Sequence, residues 1–99
     1  MSKMKAVFII FNPAIEYEVM DILEKVKVVQ YTSFPYLHGI GGHSEPKLDT
    51  HVWPGSNMGL FIATDEDTTL AILKEISAIK KKEAAQGLKA FVMPIEGAV

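Results

Sequence analysis

A twelve-residue segment, residues 43–54, holds the side chains of this chain that are best suited to binding a metal. It contains two histidines, two carboxylates and the only tryptophan. Neutral imidazoles and carboxylates suit Zn, Cu, Ni or Fe, which makes the segment a candidate divalent-metal site. The candidate ligands are His43, Glu45, Asp49 and His51. Because the spacing of the histidines matches no standard metal signature, a polar loop whose histidines form only local hydrogen bonds is the alternative interpretation.

A group of glycines comes immediately before this segment. Gly39, Gly41 and Gly42 have no Cβ, so the backbone there can approach an anion closely. The alternative is that these glycines provide loop flexibility alone. No nucleophile stands in a recognisable arrangement with a base and an orienting group, and we therefore expect a protein that is not an enzyme.

The composition limits the classes of protein to which the chain can belong. Its 99 residues are 48% hydrophobic and carry a formal charge of −2, which predicts one folded domain over residues 1–99. The absence of cysteine excludes disulfides, thiolate zinc sites and iron–sulfur clusters. The near-neutral charge argues against nucleic-acid binding. The longest apolar run, residues 6–11, is far shorter than the roughly 20 residues of a membrane span, so we expect no membrane insertion and a cytoplasmic location.

The first half of the chain predicts a strand, a helix and a second strand. Residues 4–12 are β-branched and aromatic, and they form a strand that is apolar on both faces. After Pro13 the apolar residues follow a helical period. In residues 27–38 a strand is expected in the first part, and Pro35 indicates a sheet edge, a bulge or a strand end. The helical stripe consists of Ile15, Val19, Ile22, Leu23 and Val26.

The second half of the chain begins with a long loop over residues 39–57. A strand over residues 58–64 follows, and Thr64 with Asp67 resembles a capping box at the start of a second helix. Gly87 offers a stop for that helix, and the last strand covers residues 88–95. The predicted buried stripe of the second helix consists of Leu70, Ile72, Leu73, Ile76 and Ile79.

The order of these elements predicts the fold class. Strand, helix, strand, strand, helix, strand is the α+β ferredoxin-like βαββαβ arrangement, an antiparallel sheet with two helices on one face. The strands carry apolar side chains on both faces, which leaves one apolar face without helices. We therefore expect a symmetric homo-oligomer that is joined through its sheets. The side chains that indicate this are Phe8, Ile10, Leu60, Phe61, Phe91 and Val92.

Several segments resemble the PII-type signal-transduction proteins. The opening Met4-Lys5-x-Val7-x-x-Ile10-x-x-Pro13 looks like the first strand of that family, and Lys89-x-Phe91-Val92-x-x-Ile95-Glu96 looks like its last strand. Gly39-Ile40-Gly41 resembles the glycine-x-glycine at the base of the family's T-loop. The resemblance implies a homotrimer, a T-loop-like segment over residues 39–57 that contacts a target protein, and a small effector in the clefts between subunits.

The chain departs from the family pattern where relatives bind adenine nucleotides. Those relatives follow the glycine-x-glycine with arginine and glutamine, whereas this chain has Gly42 and His43. Of the glycine-rich basic loop before the last strand, only Gly87 and Lys89 remain. With the effector taken as a nucleotide or another anion, the expected binding residues are Gly39, Gly41, His43 and Lys89.

Two functions are therefore expected from the sequence. The first is a non-enzymatic regulatory sensor that binds an effector and signals through residues 39–57. The second is a trimer that binds divalent metal through the histidine segment and resembles the CutA-type cation tolerance proteins. A metal site would lose affinity as its histidines become protonated below about pH 6.

Overall fold

The computed structural model describes residues 3–39, 56–83 and 87–99. Its strands are β1 (Met4–Phe11), β2 (Thr32–Leu37), β3 (Asn57–Asp65) and β4 (Lys89–Pro94). A 3₁₀ turn at Pro13–Ile15 leads into α1 (Glu16–Lys25), and α2 spans Glu66–Glu83. This order of elements confirms the predicted α+β ferredoxin-like class.

The four strands form one antiparallel sheet in the order β2-β3-β1-β4. The two inner strands, β1 and β3, are thus flanked by β4 and β2 as the two edges. In the middle of the sheet Phe8 stands opposite Phe61 on β3 and opposite Phe91 on β4. Because side chains alternate between the two faces of a strand, this register places the three rings on the same face.

The hydrophobic core lies between the other face of the sheet and the two helices. Val7, Ile9 and Phe11 of β1 are fully buried there, and each stands opposite an apolar residue of β3. The helices complete this core with a short set of aliphatic side chains. They are Val19, Ile22 and Leu23 of α1 and Ile72 and Ile76 of α2.

The start of α2 differs from the sequence prediction by one residue. The N-cap is Asp65 rather than Thr64, since the backbone N–H of Thr68 donates to Asp65 Oδ1 at 2.7 Å. This backbone hydrogen bond, followed by one from the Thr68 side chain, lowers the pKa of Asp65 below its ordinary value of 3.8. The hydroxyl of Thr69 donates to the Asp65 carbonyl at 2.8 Å, so the only polar residue assigned to the core in the described part of the chain is hydrogen-bonded.

The apolar stripe predicted for α2 is wrong at one residue. Leu70 is 61% exposed, whereas Ile72 and Ile76 are buried and Leu73 and Ile79 are half-buried. The helix turns Thr69 toward the core, at the position four residues before Leu73. Because Leu70 follows Thr69 by one residue, about 100° around the helix, its side chain projects to solvent.

Strand β2 lies later in the chain than predicted. It occupies Thr32–Leu37, the last part of residues 27–38, and contains Pro35. The prediction of an edge or a bulge at this proline is confirmed, because β2 is an edge strand whose register shifts between Phe34 and Leu37. Over that stretch β2 advances by three residues while β3 advances by two, from Gly59 to Asn57.

The end of α1 shows why β2 begins late. Lys27 has a φ of +67°, and it follows the helix in the position where glycine is common. Its N–H donates to the Glu24 carbonyl at 3.1 Å, while the N–H of Val28 donates to the Leu23 carbonyl at 2.8 Å. These two bonds form a Schellman motif, which uses residues 26–28 to end the helix before the chain can enter the sheet.

The face of the sheet that carries no helix is apolar. Four phenylalanines form what we term the aromatic face: Phe8, Phe34, Phe61 and Phe91. The last three are exposed, and Phe91 is 51% exposed. The sequence expectation that one apolar face is left over after the helices pack is therefore confirmed for a single protomer.

No helix in residues 3–39, 56–83 and 87–99 combines the length and hydropathy that a membrane-spanning helix requires.

Candidate effector site

The residues expected to bind an effector fall into two groups. Gly39 and Lys89 belong to the described part of the chain, and Lys89 is exposed. Gly41 and His43 lie outside the described residues, as do the other three candidate metal ligands, Glu45, Asp49 and His51. The metal site therefore stays a prediction. In the described ranges, no group of three or more histidines and carboxylates could hold a metal ion.

Gly39 and Lys89 lie at the same end of the sheet but at its opposite edges. Gly39 follows β2, whose last residue stands opposite Asn57 at the start of β3. Lys89 opens β4 and stands opposite Ile10 near the end of β1. Two strands lie between these edges, so the separation is three strand spacings, or about 14 Å. Within one protomer the two residues therefore lie on separate edges and do not form one compact site.

Two open grooves lie toward the opposite end of the sheet, along the junction of β2 and β3. The larger, which we term the aromatic groove, has a volume of about 260 Å³. Thr32 stands directly opposite Phe61 there, on the aromatic face of the sheet. The lining combines aromatic walls with an amide and a hydroxyl: Gln30, Tyr31, Thr32, Phe61 and Ala63.

The second groove, with a volume of about 200 Å³, is next to the first and shares Gln30 and Ala63 with it. It is bounded by the segment that follows α1, including Lys27, and by Thr68 in the first turn of α2. Asp65 caps that turn, and the hydrogen bonds from Thr68 lower the pKa of its carboxyl group. The aromatic groove therefore has the lining better suited to a planar, uncharged ring, since aromatic rings stack on such a ring and the polar groups can orient it.

The aromatic groove was missed by the sequence analysis. Its lining residues come from two separate segments, residues 30–32 and 61–63, and neither segment contains a recognisable binding motif. Their proximity depends on the pairing of Thr32 with Phe61. The sequence prediction placed β2 earlier within residues 27–38, so this pairing was not expected.

A comparison with protein-family models identifies the family of this chain. The family model described as nitrogen regulatory protein P-II matches residues 4–99. The chain belongs to the nitrogen regulatory protein P-II family. This confirms the resemblance that the first and last strands indicated. No curated protein sequence matches the chain.

Solved structures similar to this P-II family chain include CPII and GlnK. One is CPII, a nitrogen regulatory PII-like protein from Thiomonas intermedia K12 bound to ADP, AMP and bicarbonate, with 21% identity, a TM-score of 0.70 and coverage of 96% of this chain and 94% of that chain. Another is GlnK from B. subtilis in complex with ATP, with 23% identity, a TM-score of 0.72 and coverage of 100% and 88%. At these identities the likeness shows the shared fold.

Proposed function

We propose that this P-II family chain is a non-enzymatic regulatory protein that binds an adenine nucleotide and signals through residues 39–57 to a target protein. The observation that carries the proposal is the aromatic groove, where Tyr31 and Phe61 stand beside Gln30 and Thr32. Such a lining suits a heteroaromatic base, which stacks on aromatic side chains and forms hydrogen bonds at its edge. The similar CPII and GlnK structures, which hold ADP, AMP or ATP, support the choice of nucleotide.

The active form is a homotrimer that is assembled through the aromatic face. A soluble monomer rarely exposes a large contiguous apolar surface, and this face carries exposed rings on β2, β3 and β4. Burial of such a surface against further copies of the chain would stabilise the assembly by about 25 cal/mol for each Å² of apolar area. Membership of the P-II family supports three as the number of copies.

The effector site is shared between two protomers. In one protomer the aromatic groove lies near Thr32, whereas Gly39 lies seven residues further along, beyond the end of β2. At about 3.3 Å for each extended residue these features are on the order of 20 Å apart. A head-to-tail contact, which closes into a ring at three copies, would instead place the groove of one protomer against the end of its neighbour that carries Gly39 and Lys89.

The signal would follow from differential binding. A nucleotide that binds one conformation of the loop base better than another shifts the population toward it, and the target protein then meets a different surface. Lys89 would act as a point charge on the phosphates, because its side chain is exposed at the start of β4.

Mixed assemblies test whether the site is shared. Tyr31→Ala removes a wall of the aromatic groove, and Lys89→Ala removes the cation at the other end of the sheet. Each variant alone should bind ADP at least about 10-fold more weakly by calorimetry, the loss that corresponds to about 1.4 kcal/mol. Trimers reassembled from a mixture of both variants should recover a fraction of wild-type sites, because some clefts then contain an intact Tyr31 and an intact Lys89.

The matched control is Tyr36→Ala, which removes a tyrosine of β2 that is 79% exposed and does not line the groove. It should bind ADP as the wild type does. If the mixture recovers no binding although its trimers form, the site lies within one protomer. If the wild type binds neither ADP nor ATP, the nucleotide proposal is wrong.

A further inference from the structure

Leu37, the last residue of β2, and Phe8 of the aromatic face both lie close to Gly59 of β3. A Cβ placed on Gly59 would lie 2.6 Å from Leu37 Cδ1 and 3.1 Å from Phe8 Cε1. Both distances are shorter than an ordinary van der Waals contact, so Leu37 and Phe8 occupy the space that any other residue at position 59 would fill. We term this space the Gly59 notch.

The Gly59 notch lies between a ring of the aromatic face and the last side chain of β2. On one side is Phe8, the central ring of the aromatic face, which stands opposite Phe61 and Phe91. On the other side, Leu37 is the last residue of β2, two residues before Gly39. The register shift between Phe34 and Leu37 brings Leu37 opposite Asn57. Without that extra residue the side-chain alternation would turn Leu37 to the other face of the sheet.

From this arrangement we infer that Leu37 couples the conformation of the loop base to the association of protomers. Movement of the backbone at residues 38–39 shifts Leu37 in the notch, and Phe8, which lines the other side of the same notch, is the ring that this shift reaches. Phe8 in turn contacts Phe34, so a displacement spreads across the aromatic face. By thermodynamic linkage, assembly must constrain the loop base to the same extent that the loop base alters assembly. This inference rests on the proposed association through the aromatic face.

A double-mutant cycle tests the coupling. Gly39→Pro restricts the backbone of residues 38–39 through its ring, and a Cβ at Gly39 meets nothing within 4 Å. In the wild-type background it should change the dissociation constant of the assembly by at least about 5-fold, the lower range of allosteric coupling. In a Leu37→Ala background the same change should be less than about 2-fold, because the connecting side chain is absent. Sedimentation velocity over a dilution series measures both constants.

Tyr36→Ala is the matched background, since Tyr36 is the neighbour of Leu37 and is largely exposed. In that background Gly39→Pro should retain its full effect. Circular dichroism checks that each variant is folded, and Leu37→Val replaces Leu37→Ala if the latter is not. Equal effects of Gly39→Pro in all three backgrounds, or no effect in the wild type, would overturn the coupling. A wild type that stays monomeric at every concentration would instead disprove the proposed assembly.

Discussion

The rings of Phe8 and Phe34 meet edge to face across a strand that lies between them. Their centroids are 5.7 Å apart and their planes are inclined at 76°, although β3 separates β1 from β2. The contact exists because Gly59 of β3 carries no side chain between the two rings. An edge-to-face pair of this kind contributes about 1 kcal/mol beyond the burial of its area.

Substitution of Gly59 by alanine should destabilise the protein. The new Cβ would force aside the end of Leu37, which can rotate, and the ring of Phe8, which is held against Phe34. We expect the free energy of unfolding to fall by about 1–3 kcal/mol, the usual cost of overpacking. Urea denaturation measures the change. Gly97→Ala is the control, because a Cβ there meets nothing within 4 Å, and a loss as large in that variant would argue against the notch.

Lys27→Gly should stabilise the protein. Lys27 holds a φ of +67°, which costs a residue with a Cβ roughly 1–2 kcal/mol and costs glycine little. Part of that gain is offset by the greater freedom of glycine in the unfolded chain, so the net increase should be about 1 kcal/mol. Lys27→Ala removes the charge and the long side chain but retains the strain. Thermal unfolding that ranks alanine with glycine would contradict this explanation.

The carboxylate of Asp65 should make stability fall at low pH. Its pKa is lowered in the folded protein by the hydrogen bonds from Thr68, so it stabilises the fold at a pH above its ordinary value of 3.8. That contribution is lost as the pH falls through the lower folded pKa. Asp65→Asn keeps an N-cap of similar quality but has no carboxyl proton to bind.

The urea midpoints of the wild type and of Asp65→Asn, measured from pH 6 down to pH 2, test this prediction. The difference between the two proteins should shrink or reverse in favour of asparagine as the pH decreases. Parallel curves would mean that the Asp65 carboxylate carries no pH-dependent stability.

Phe91→Asp should weaken self-association far more than it weakens the fold. Phe91 is 51% exposed in the protomer, so the substitution removes little of the core while it places a charge on the aromatic face, opposite Phe8. We expect at least a 10-fold rise in the dissociation constant of the assembly by sedimentation, which corresponds to about 1.4 kcal/mol. Leu70→Asp places the same charge at a 61% exposed leucine on α2. Dissociation by both variants alike would locate the interface elsewhere.

The periodicity of the apolar residues was sufficient to predict the order of elements and the fold class. β1 is apolar on both faces because one face lies in the hydrophobic core and the other belongs to the aromatic face, and its composition shows this directly. The apolar stripe at Val19, Ile22 and Leu23 likewise indicates burial, because apolar residues that recur every 3.6 positions lie on the one side of a helix that faces the core. The apolar face without helices was predicted in the same way, because the two helices cover only one face of a sheet whose strands are apolar on both faces.

Local hydrogen bonding and strand register required the tertiary structure. Thr64 and Asp65 are both good N-caps by residue type, and only the geometry at Thr68 selects Asp65. The left-handed residue at the end of α1 is a lysine, so no glycine in the sequence marked the Schellman motif that delays β2. The register of β2 on β3 then builds the aromatic groove, separates it from Gly39 and Lys89, and places Leu37 over Gly59. Each of these depends on which residues of distant segments stand opposite each other, and a single sequence carries no local signal for that pairing.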